Sequence, residues 1–260
     1  YDENGFVKLG QIVSKEFTKK LTDRALSLMS GKKRYQGMFF QLEGKNGKYE
    51  NININSDQFI GPSKNYRKIK DLEYDNLFLR VIKNKYLRFF SKKLIGKNVS
   101  CMRAMVLNKP AKHSSSLKFH QDVSDNWSMT GKPTFTFWMS LNGATKKKGC
   151  LKVINGSHIF GKIGKGHFVS NYNLKKLKNN RIKYLELKPG EAIIFNNYLL
   201  HGSEKNKTSE MRLAFTVCLM DANIKHEKYS KKYPIIFGKN ALKAHQIKNI
   251  NQIPKKPYVN

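Results

Sequence analysis

Cysteine is scarce in this sequence, and long apolar runs are missing from it. Its three cysteines, Cys101, Cys150 and Cys218, are an odd number at wide spacing without a C-x-x-C pair. This pattern argues against both a disulfide framework and a zinc site. No stretch approaches the roughly 20 apolar residues of a membrane-spanning helix. The first residues lack a secretory pattern, so a cytoplasmic protein without membrane contact is expected, although any targeting segment before Tyr1 is not readable.

Acidic residues are few, 18 against 50 basic ones, which gives a formal net charge of +32. Such an excess attracts polyanions without specificity. Of the basic residues, however, 42 are lysines and only eight are arginines, a mix typical of an AT-rich genome. The lysines are spread along the chain instead of forming one arginine-rich stripe between exposed aromatics. This favours a solvated basic surface over a nucleic-acid groove, and an anionic small substrate is compatible with either.

The length of 260 residues, with 39% hydrophobic and 12% aromatic residues, predicts a single folded domain. Residues 1–99 are predicted as a helical part that packs on a barrel, with one helix from Lys15 to Ser30 capped by Ser14 and another from Asp75 to near Gly96. Residues 100–221 are predicted as the barrel core with the metal site, and residues 222–260 as a C-terminal lid or packing segment. Nothing in the sequence indicates the oligomeric state.

Two runs with period-two alternation predict strands that line a cavity. In residues 134–141 and 212–219, one face is large and apolar, while the other carries Thr, Ser, Ala, Cys, one Trp and one Arg. A merely solvated face would carry Lys or Glu, which this chain has in plenty. We therefore expect the small, polar faces to line the interior of a barrel. A third run, residues 192–200, is predicted as a strand that ends at His201.

His120 and Asp122 lie two residues apart, so on an extended segment both side chains point to one face and can bind one metal ion. Alone, such a pair is a weak signal. His201 adds a second imidazole at the end of a predicted strand. Two histidines and one carboxylate form the facial triad that suits iron(II) and leaves positions open for other ligands, whereas a closed zinc site would need a fourth protein ligand.

Arg212 follows His201 on the inward, otherwise uncharged face of its strand. A buried guanidinium needs an anion, and its own strand offers no acidic residue on that face. A bound carboxylate is the simplest partner. A salt bridge to an acidic residue on another strand is the alternative.

The sequence resembles the phytanoyl-CoA dioxygenase family over most of residues 1–221. The resemblance rests on the order and spacing of several short motifs, namely Asn4-Gly5-Phe6-Val7, Phe119-His120-Gln121-Asp122, Trp138-Met139-Ser140-Leu141, Gly149-Cys150-Leu151, Asn155-Gly156-Ser157-His158, Pro189-Gly190-Glu191, and His201-Gly202-Ser203 with Asn206 and Arg212.

The resemblance implies a mainly β fold with flanking helices, a double-stranded β-helix of the jelly-roll or cupin-like type. It implies that His120, Asp122 and His201 ligate iron(II), and that 2-oxoglutarate chelates the metal. The family chemistry consumes O2, releases succinate and CO2, and hydroxylates a substrate. The retained Asp122 favours hydroxylation over halogenation, because related halogenases replace that carboxylate with a small residue.

The co-substrate site that the resemblance implies has Arg212 and Ser203 on the distal carboxylate of 2-oxoglutarate. Trp138 and Met102 take positions of the same pocket, with plain core residues as the alternative. The substrate is expected to be an unidentified small molecule, and the basic charge of the chain favours an anionic one. Residues next to the proposed metal site are its candidate contacts, namely Gln121, Trp127, Asn197 and Tyr198. Two other classes stay open, a non-catalytic cupin-like binding protein and a nucleic-acid-directed oxygenase.

Overall fold

The computed structural model describes residues 1–35, 38–52, 58–112, 114–164, 168–177, 182–227 and 233–247. Short 3-10 turns connect several of its elements. In chain order, the helices and strands are β1 (Phe6–Gln11), α1 (Lys15–Met29), β2 (Phe40–Leu42), β3 (Tyr66–Lys70), α2 (Asn76–Ile82), α3 (Lys85–Leu94), β4 (Val99–Lys109), β5 (Leu117–His120), β6 (Phe135–Ser140), β7 (Leu151–Ile154), α4 (Asn171–Lys176), β8 (Ile182–Leu185), β9 (Glu191–Asn196), β10 (His201–Ser203), β11 (Arg212–Asp221) and β12 (Ile235–Phe237).

Two antiparallel sheets form the body of the protein. The large sheet has the strand order β1-β9-β6-β11-β4-β3-β2, with β12 beside β4, and the small sheet has the order β5-β10-β7-β8. An apolar cluster joins their facing sides, with Trp138, Ile193 and Phe195 from the large sheet and Val153 and Leu185 from the small one. Two such sheets with helices on one side form a double-stranded β-helix, so the predicted fold class is confirmed.

The larger core lies on the other face of the large sheet, where the helices cover it. Phe137, Met139, Phe215 and Val217 are buried there among side chains of α1 and α2. These residues form the large apolar faces that the alternation in residues 134–141 and 212–219 predicts. Because successive side chains of a strand point to opposite faces, the small and polar residues between them face the small sheet.

The first predicted helix is confirmed, since Ser14 caps α1 and its hydroxyl accepts a hydrogen bond from the Phe17 amide at 3.1 Å. The second is wrong as one continuous helix. The chain forms α2 and α3 instead, because Asn84 leaves the helical conformation and its side chain accepts a hydrogen bond from the Leu87 amide at 2.9 Å. Asn84 therefore ends one helix and begins the next.

The predicted boundary at residue 100 does not separate helices from strands. Three strands of the large sheet, β1, β2 and β3, come from residues 1–99, and β3 pairs with β4 at Lys68 and Leu107. At the other end of the chain, β12 packs beside the start of β4. Residues 228–232 and 248–260 of the predicted lid lie outside the described residues. Within the part of the chain that is described, no helix is long and apolar enough to cross a membrane.

Candidate metal and co-substrate site

Neighbouring strands of the small sheet carry the predicted metal ligands. His120 ends β5, His201 begins β10, and the two residues are paired across the strands. A Cβ on Gly202 would lie 2.6 Å from the Leu117 carbonyl oxygen, so glycine at this position lets β10 approach β5 closely. Residues 192–200 do not form the single strand that the pattern predicts. β9 ends at Asn196, and a turn carries the chain from the large sheet to the small one before His201.

The three predicted ligands come together in the structure. One ligand atom from each of His120, Asp122 and His201 lies within 4.8 Å of the others, and all three side chains are buried. The Nδ1 atoms of His120 and His201 lie 2.9 Å from the carbonyl oxygens of Lys118 and Leu199. Since a carbonyl only accepts, each Nδ1 carries the proton and each Nε2 keeps its lone pair for a metal.

The ionisation states also suit a divalent cation. Burial lowers the pKa of His201, which keeps its imidazole neutral. Burial alone would raise the pKa of Asp122, but the charge of Arg103 and its hydrogen bond to the carboxylate hold that pKa well below its usual range. Two imidazoles and an ionised carboxylate on one side of a space form the donor set that non-haem iron(II) prefers.

Arg103 was not predicted, yet it makes the shortest contact of Asp122. Its Nη2 donates to Asp122 Oδ2 at 2.6 Å, and the Thr136 hydroxyl lies 3.2 Å from the same oxygen. The backbone amide of Asp122 donates to the Asn197 carbonyl at 2.9 Å. These contacts fix the carboxylate in front of the histidines. The orientation of a carboxylate ligand therefore depends here on three parts of the chain.

A cavity of about 330 Å³ opens in front of the three ligands. Trp138, Ser203 and Arg212 lie on its wall, as the sequence predicts. Among the described residues, the wall is strongly basic and includes only two acidic residues, Glu43 and Asp122. Its basic residues are Arg67, Lys68, Lys70, Arg103, Lys109 and Arg212.

Arg212 has the environment that a carboxylate-binding residue requires. It is 4% exposed, and its guanidinium lies over the Trp138 ring, 5.5 Å from the centroid. Nη1 donates to the Leu107 carbonyl at 3.3 Å, whereas Nε is buried without a hydrogen-bond partner in the described part of the chain. Among the described residues no carboxylate forms an ion pair with Arg212. The alternative interpretation, a salt bridge to an acidic residue on another strand, is therefore wrong for that part of the chain. Burial lowers the pKa of Arg212 to about 10, so it is charged at neutral pH.

Met102 does not reach this cavity. The pairing of β11 with β4 is irregular, because Cys218 faces Arg103 while Leu219 faces Cys101, and Met102 falls in the bulge between them. As a result, Arg103, Met105 and Leu107 line the wall. Met105 is thus the methionine that lies beside the candidate co-substrate site.

Of the four candidate substrate contacts, only Trp127 lines the cavity. The Gln121 amide donates to the carbonyls of Gly161 and Tyr198 at 2.8 and 2.6 Å and accepts from the Ile163 amide at 2.7 Å, so it ties loops together. Asn197 is fully buried, and its side chain donates to Cys218 Sγ at 3.3 Å. Tyr198 is not part of the wall. These three positions are better explained as structural.

The known proteins that this chain is similar to agree with the candidate metal and co-substrate site. The sequence model of a family described as phytanoyl-CoA dioxygenase matches residues 1–214. The chain is 22% identical over 244 residues to the peroxisomal phytanoyl-CoA dioxygenase of Bos taurus, covering 86% of this chain and 67% of that protein. The corresponding values for the Homo sapiens enzyme are 21% over 227 residues, 83% and 65%. The chain therefore spans about two thirds of the length of these relatives.

Two solved structures have the same fold. The structure of EctD from S. alaskensis with 2-oxoglutarate and 5-hydroxyectoine has a TM-score of 0.67 at 20% identity, covering 93% of this chain and 81% of that one. The 2-oxoglutarate-dependent epimerase SnoN from nogalamycin biosynthesis has a TM-score of 0.66 at 15% identity, covering 90% and 84%. At this level of identity the likeness concerns the fold alone.

Proposed function

The chain belongs to the phytanoyl-CoA dioxygenase family, and from this membership we propose that it hydroxylates an anionic small molecule with consumption of 2-oxoglutarate and O2. Iron(II) and 2-oxoglutarate are the cofactor and co-substrate of this family. The observation that carries the proposal is the convergence of His120, Asp122, His201 and Arg212 on one cavity. A binding protein without catalysis would need the cavity but not a metal triad beside an unpaired arginine.

When bound, iron(II) with 2-oxoglutarate and O2 supplies the oxidising power that inserts oxygen into a C–H bond, while 2-oxoglutarate becomes succinate and CO2. His120, Asp122 and His201 would hold the metal on one side and leave the cavity side open to ligands. Arg212 would bind the distal carboxylate of 2-oxoglutarate through its two-pronged guanidinium, with the Ser203 hydroxyl as a second donor. Both side chains are buried, so this carboxylate is held away from water.

The charge of the cavity supports an anionic substrate. Six basic side chains face two acidic ones, and the two positive charges of iron(II) are matched by the two negative charges of 2-oxoglutarate. The wall therefore keeps a positive excess after both are bound. Burial lowers the pKa of Lys68 and of Lys109, and an anion that enters beside them would favour their protonated forms. The volume lies at the lower end for small-molecule sites, which supports a small substrate.

A nucleic-acid substrate fits the cavity less well. Recognition of unpaired bases relies on aromatic rings whose faces are free for stacking. The two aromatic rings that would serve, Tyr49 and Trp127, already have the guanidinium groups of Arg67 and Arg103 at 5.1 and 5.2 Å from their centroids. These rings therefore support arginines instead of offering platforms for bases.

Anaerobic titration with iron(II) and then 2-oxoglutarate tests the proposal. The chelate of metal and 2-oxoglutarate gives a weak visible absorption band, which we expect in the wild type and not in His120→Ala. His158→Ala is the matched control, because the His158 ring contacts the Asp2 carbonyl at 2.9 Å, outside the cavity. The control should retain the band. Bound iron without any band in the wild type would refute the oxygenase function and favour a binding protein.

A further inference from the structure

Two arginines, the buried Arg212 and the partly buried Arg103, enter the cavity at positions near opposite ends of β11. Arg212 begins this strand and pairs with Lys109, whereas Arg103 pairs with Cys218, six residues further along. At about 3.3 Å per residue, the two positions are separated by about 20 Å of strand. Arg212 lies over Trp138, and Arg103 contacts Asp122 and lies over Trp127. If Arg212 holds the co-substrate, the Arg103 end is left for the substrate.

Arg103 has binding capacity that its protein contacts do not use. A guanidinium carries five N–H donors, and the one ion pair of Arg103 is to a single oxygen of Asp122. Its Nε is buried without a hydrogen-bond partner among the described residues. A metal ion on Asp122 would draw away part of the negative charge that balances Arg103. The guanidinium would then need a second anion.

Two other basic residues of the wall, Arg67 and Lys109, have protein partners that are not candidate metal ligands. Arg67 resembles Arg103 in lying over an aromatic ring, but it donates to Gln41 Oε1 at 2.8 Å and lies 4.0 Å from a Glu43 oxygen. Lys109 donates to the Ser115 carbonyl at 2.6 Å. Arg103 differs from these residues, because its ion-pair partner is also a candidate metal ligand.

We propose that Arg103, supported by Trp127, is the specificity-determining residue that binds an oxyanion of the substrate, a carboxylate or a phosphate, beside the metal centre. This inference rests on the proposed function. Because the same guanidinium touches Asp122, the anion lies next to the metal ligands. The oxidised carbon is therefore a near neighbour of the anionic group in the substrate, and a substrate without that group loses its alignment.

The chain contains two tryptophans, Trp127 and Trp138, and both lie on the wall of this cavity. Each lies under one of the two arginines, so each reports on one end. Trp138→Phe leaves Trp127 as the fluorophore of the substrate end. Trp127→Phe leaves Trp138 as the fluorophore of the co-substrate end. Intrinsic fluorescence can therefore follow the two ends separately.

The experiment titrates the Trp138→Phe protein, loaded anaerobically with iron(II) and 2-oxoglutarate, with benzoate, phenyl phosphate and the uncharged benzamide. We expect a saturable change of Trp127 emission with at least one oxyanion, at a dissociation constant about tenfold or more below that of benzamide, as charge-assisted hydrogen bonds require. The tighter oxyanion identifies the group. Equal binding of benzamide, or no saturable change with any probe, would overturn the inference.

Variants in the same background assign the effect to one arginine. Arg103→Gln should remove the preference for the oxyanions, and Arg103→Lys should retain part of it, because the charge stays but the fork is lost. Arg80→Gln is the matched control and should change the preference by less than about twofold, since Arg80 also lies over an aromatic ring, that of Phe17, but outside the cavity wall. An oxyanion preference that persists in Arg103→Gln would contradict the assignment.

The visible band of the metal and 2-oxoglutarate separates the two hypotheses. If the band forms in Arg103→Gln and the oxyanion preference is unchanged, the inference on Arg103 fails while the oxygenase function stands. If the band is absent from the wild type, the proposed function itself fails. If Arg103→Gln loses the band, the test is made with Arg103→Lys instead. A folded Arg103→Lys protein that forms the band but shows no oxyanion preference would overturn the inference.

Discussion

Replacement of Arg212 by methionine should change co-substrate affinity and protein stability in opposite directions. Without ligand, Arg212 is a buried charge without an ion pair among the described residues, and burial lowers its pKa from 12.5 to about 10. At about 1.4 kcal/mol for each tenfold change in protonation, this corresponds to about 3 kcal/mol of unfavourable burial. Methionine removes that cost and fills a similar volume, but it loses the 3.3 Å hydrogen bond to Leu107.

The free energy of unfolding of unliganded Arg212→Met should therefore rise by about 1 to 2 kcal/mol. For a chain of this length, the melting temperature should increase by about 2 °C or more. Binding of 2-oxoglutarate should weaken by about a hundredfold, because loss of one partner of a buried charged pair costs about 3 kcal/mol. At the same 2-oxoglutarate concentration, the thermal stabilisation that the ligand gives should therefore be much smaller in the variant than in the wild type.

Calorimetric unfolding with and without metal and 2-oxoglutarate measures both effects, and the visible band gives the affinity independently. Arg67→Met is the control for a buried arginine with partners, and it should lower the melting temperature, since it removes the contacts of Arg67 with Gln41 and Glu43. A lower melting temperature of unliganded Arg212→Met, with unchanged 2-oxoglutarate affinity, would refute the reasoning. Arg212 would then be a structural residue.

Three further predictions concern residues that hold the site, its loops and a helix of the fold in place. Thr136→Val should weaken metal affinity by about tenfold, measured by competition with a chelator, because it removes the hydroxyl beside Asp122. Gln121→Ala should lower the free energy of unfolding by about 1 to 3 kcal/mol in chemical denaturation, because three loop hydrogen bonds are lost, while the oxyanion preference of the substrate end stays unchanged. Asn84→Ala should lower the melting temperature by about 2 to 4 °C through loss of the cap of α3, with the visible band retained. Normal metal affinity in Thr136→Val, or wild-type stability in either of the other two, would contradict these assignments.

The positions of the candidate metal ligands and of Arg212 on the cavity wall could be predicted from the sequence because each depends on local chain geometry. His120 and Asp122 need only an extended segment to face the same side, and Arg212 needs only the alternation of its own strand. The same rule argues against Gln121 as a substrate contact, because the residue between two residues that face one side points to the opposite side. Its three loop contacts agree with that direction.

The error at Met102 has a different origin. β4 is apolar on both faces over much of its length, so its sequence shows no alternation from which the inward residues could be identified. A bulge opposite Cys218 and Leu219 then shifts the register by one residue. A shift of one residue exchanges the two faces of a strand. The inward positions of Arg103 and Met105 therefore depend on pairing with β11, which is not visible in the sequence of β4 alone.

The remaining basic residues of the wall come from pairing over a longer distance. Arg67, Lys68 and Lys70 belong to β3, in the part of the chain predicted as helical, and they reach the cavity because β3 joins the edge of β4. No local pattern indicates that a five-residue strand before α2 lies next to residues 105–107. The sequence therefore does not predict that these three basic residues line the cavity.

The choice between lysine and arginine carries information in a chain with this composition. Only eight of the 50 basic residues are arginines, and three of the eight line the cavity. The arginines that lie over aromatic rings are Arg34, Arg67, Arg80, Arg88, Arg103 and Arg212. A flat guanidinium can lie on a ring and still present its N–H donors sideways, which an ammonium group cannot do. Where lysine is the default source of positive charge, arginine marks positions at which this geometry is used, and lysine at 103 or 212 would keep the charge without the alignment.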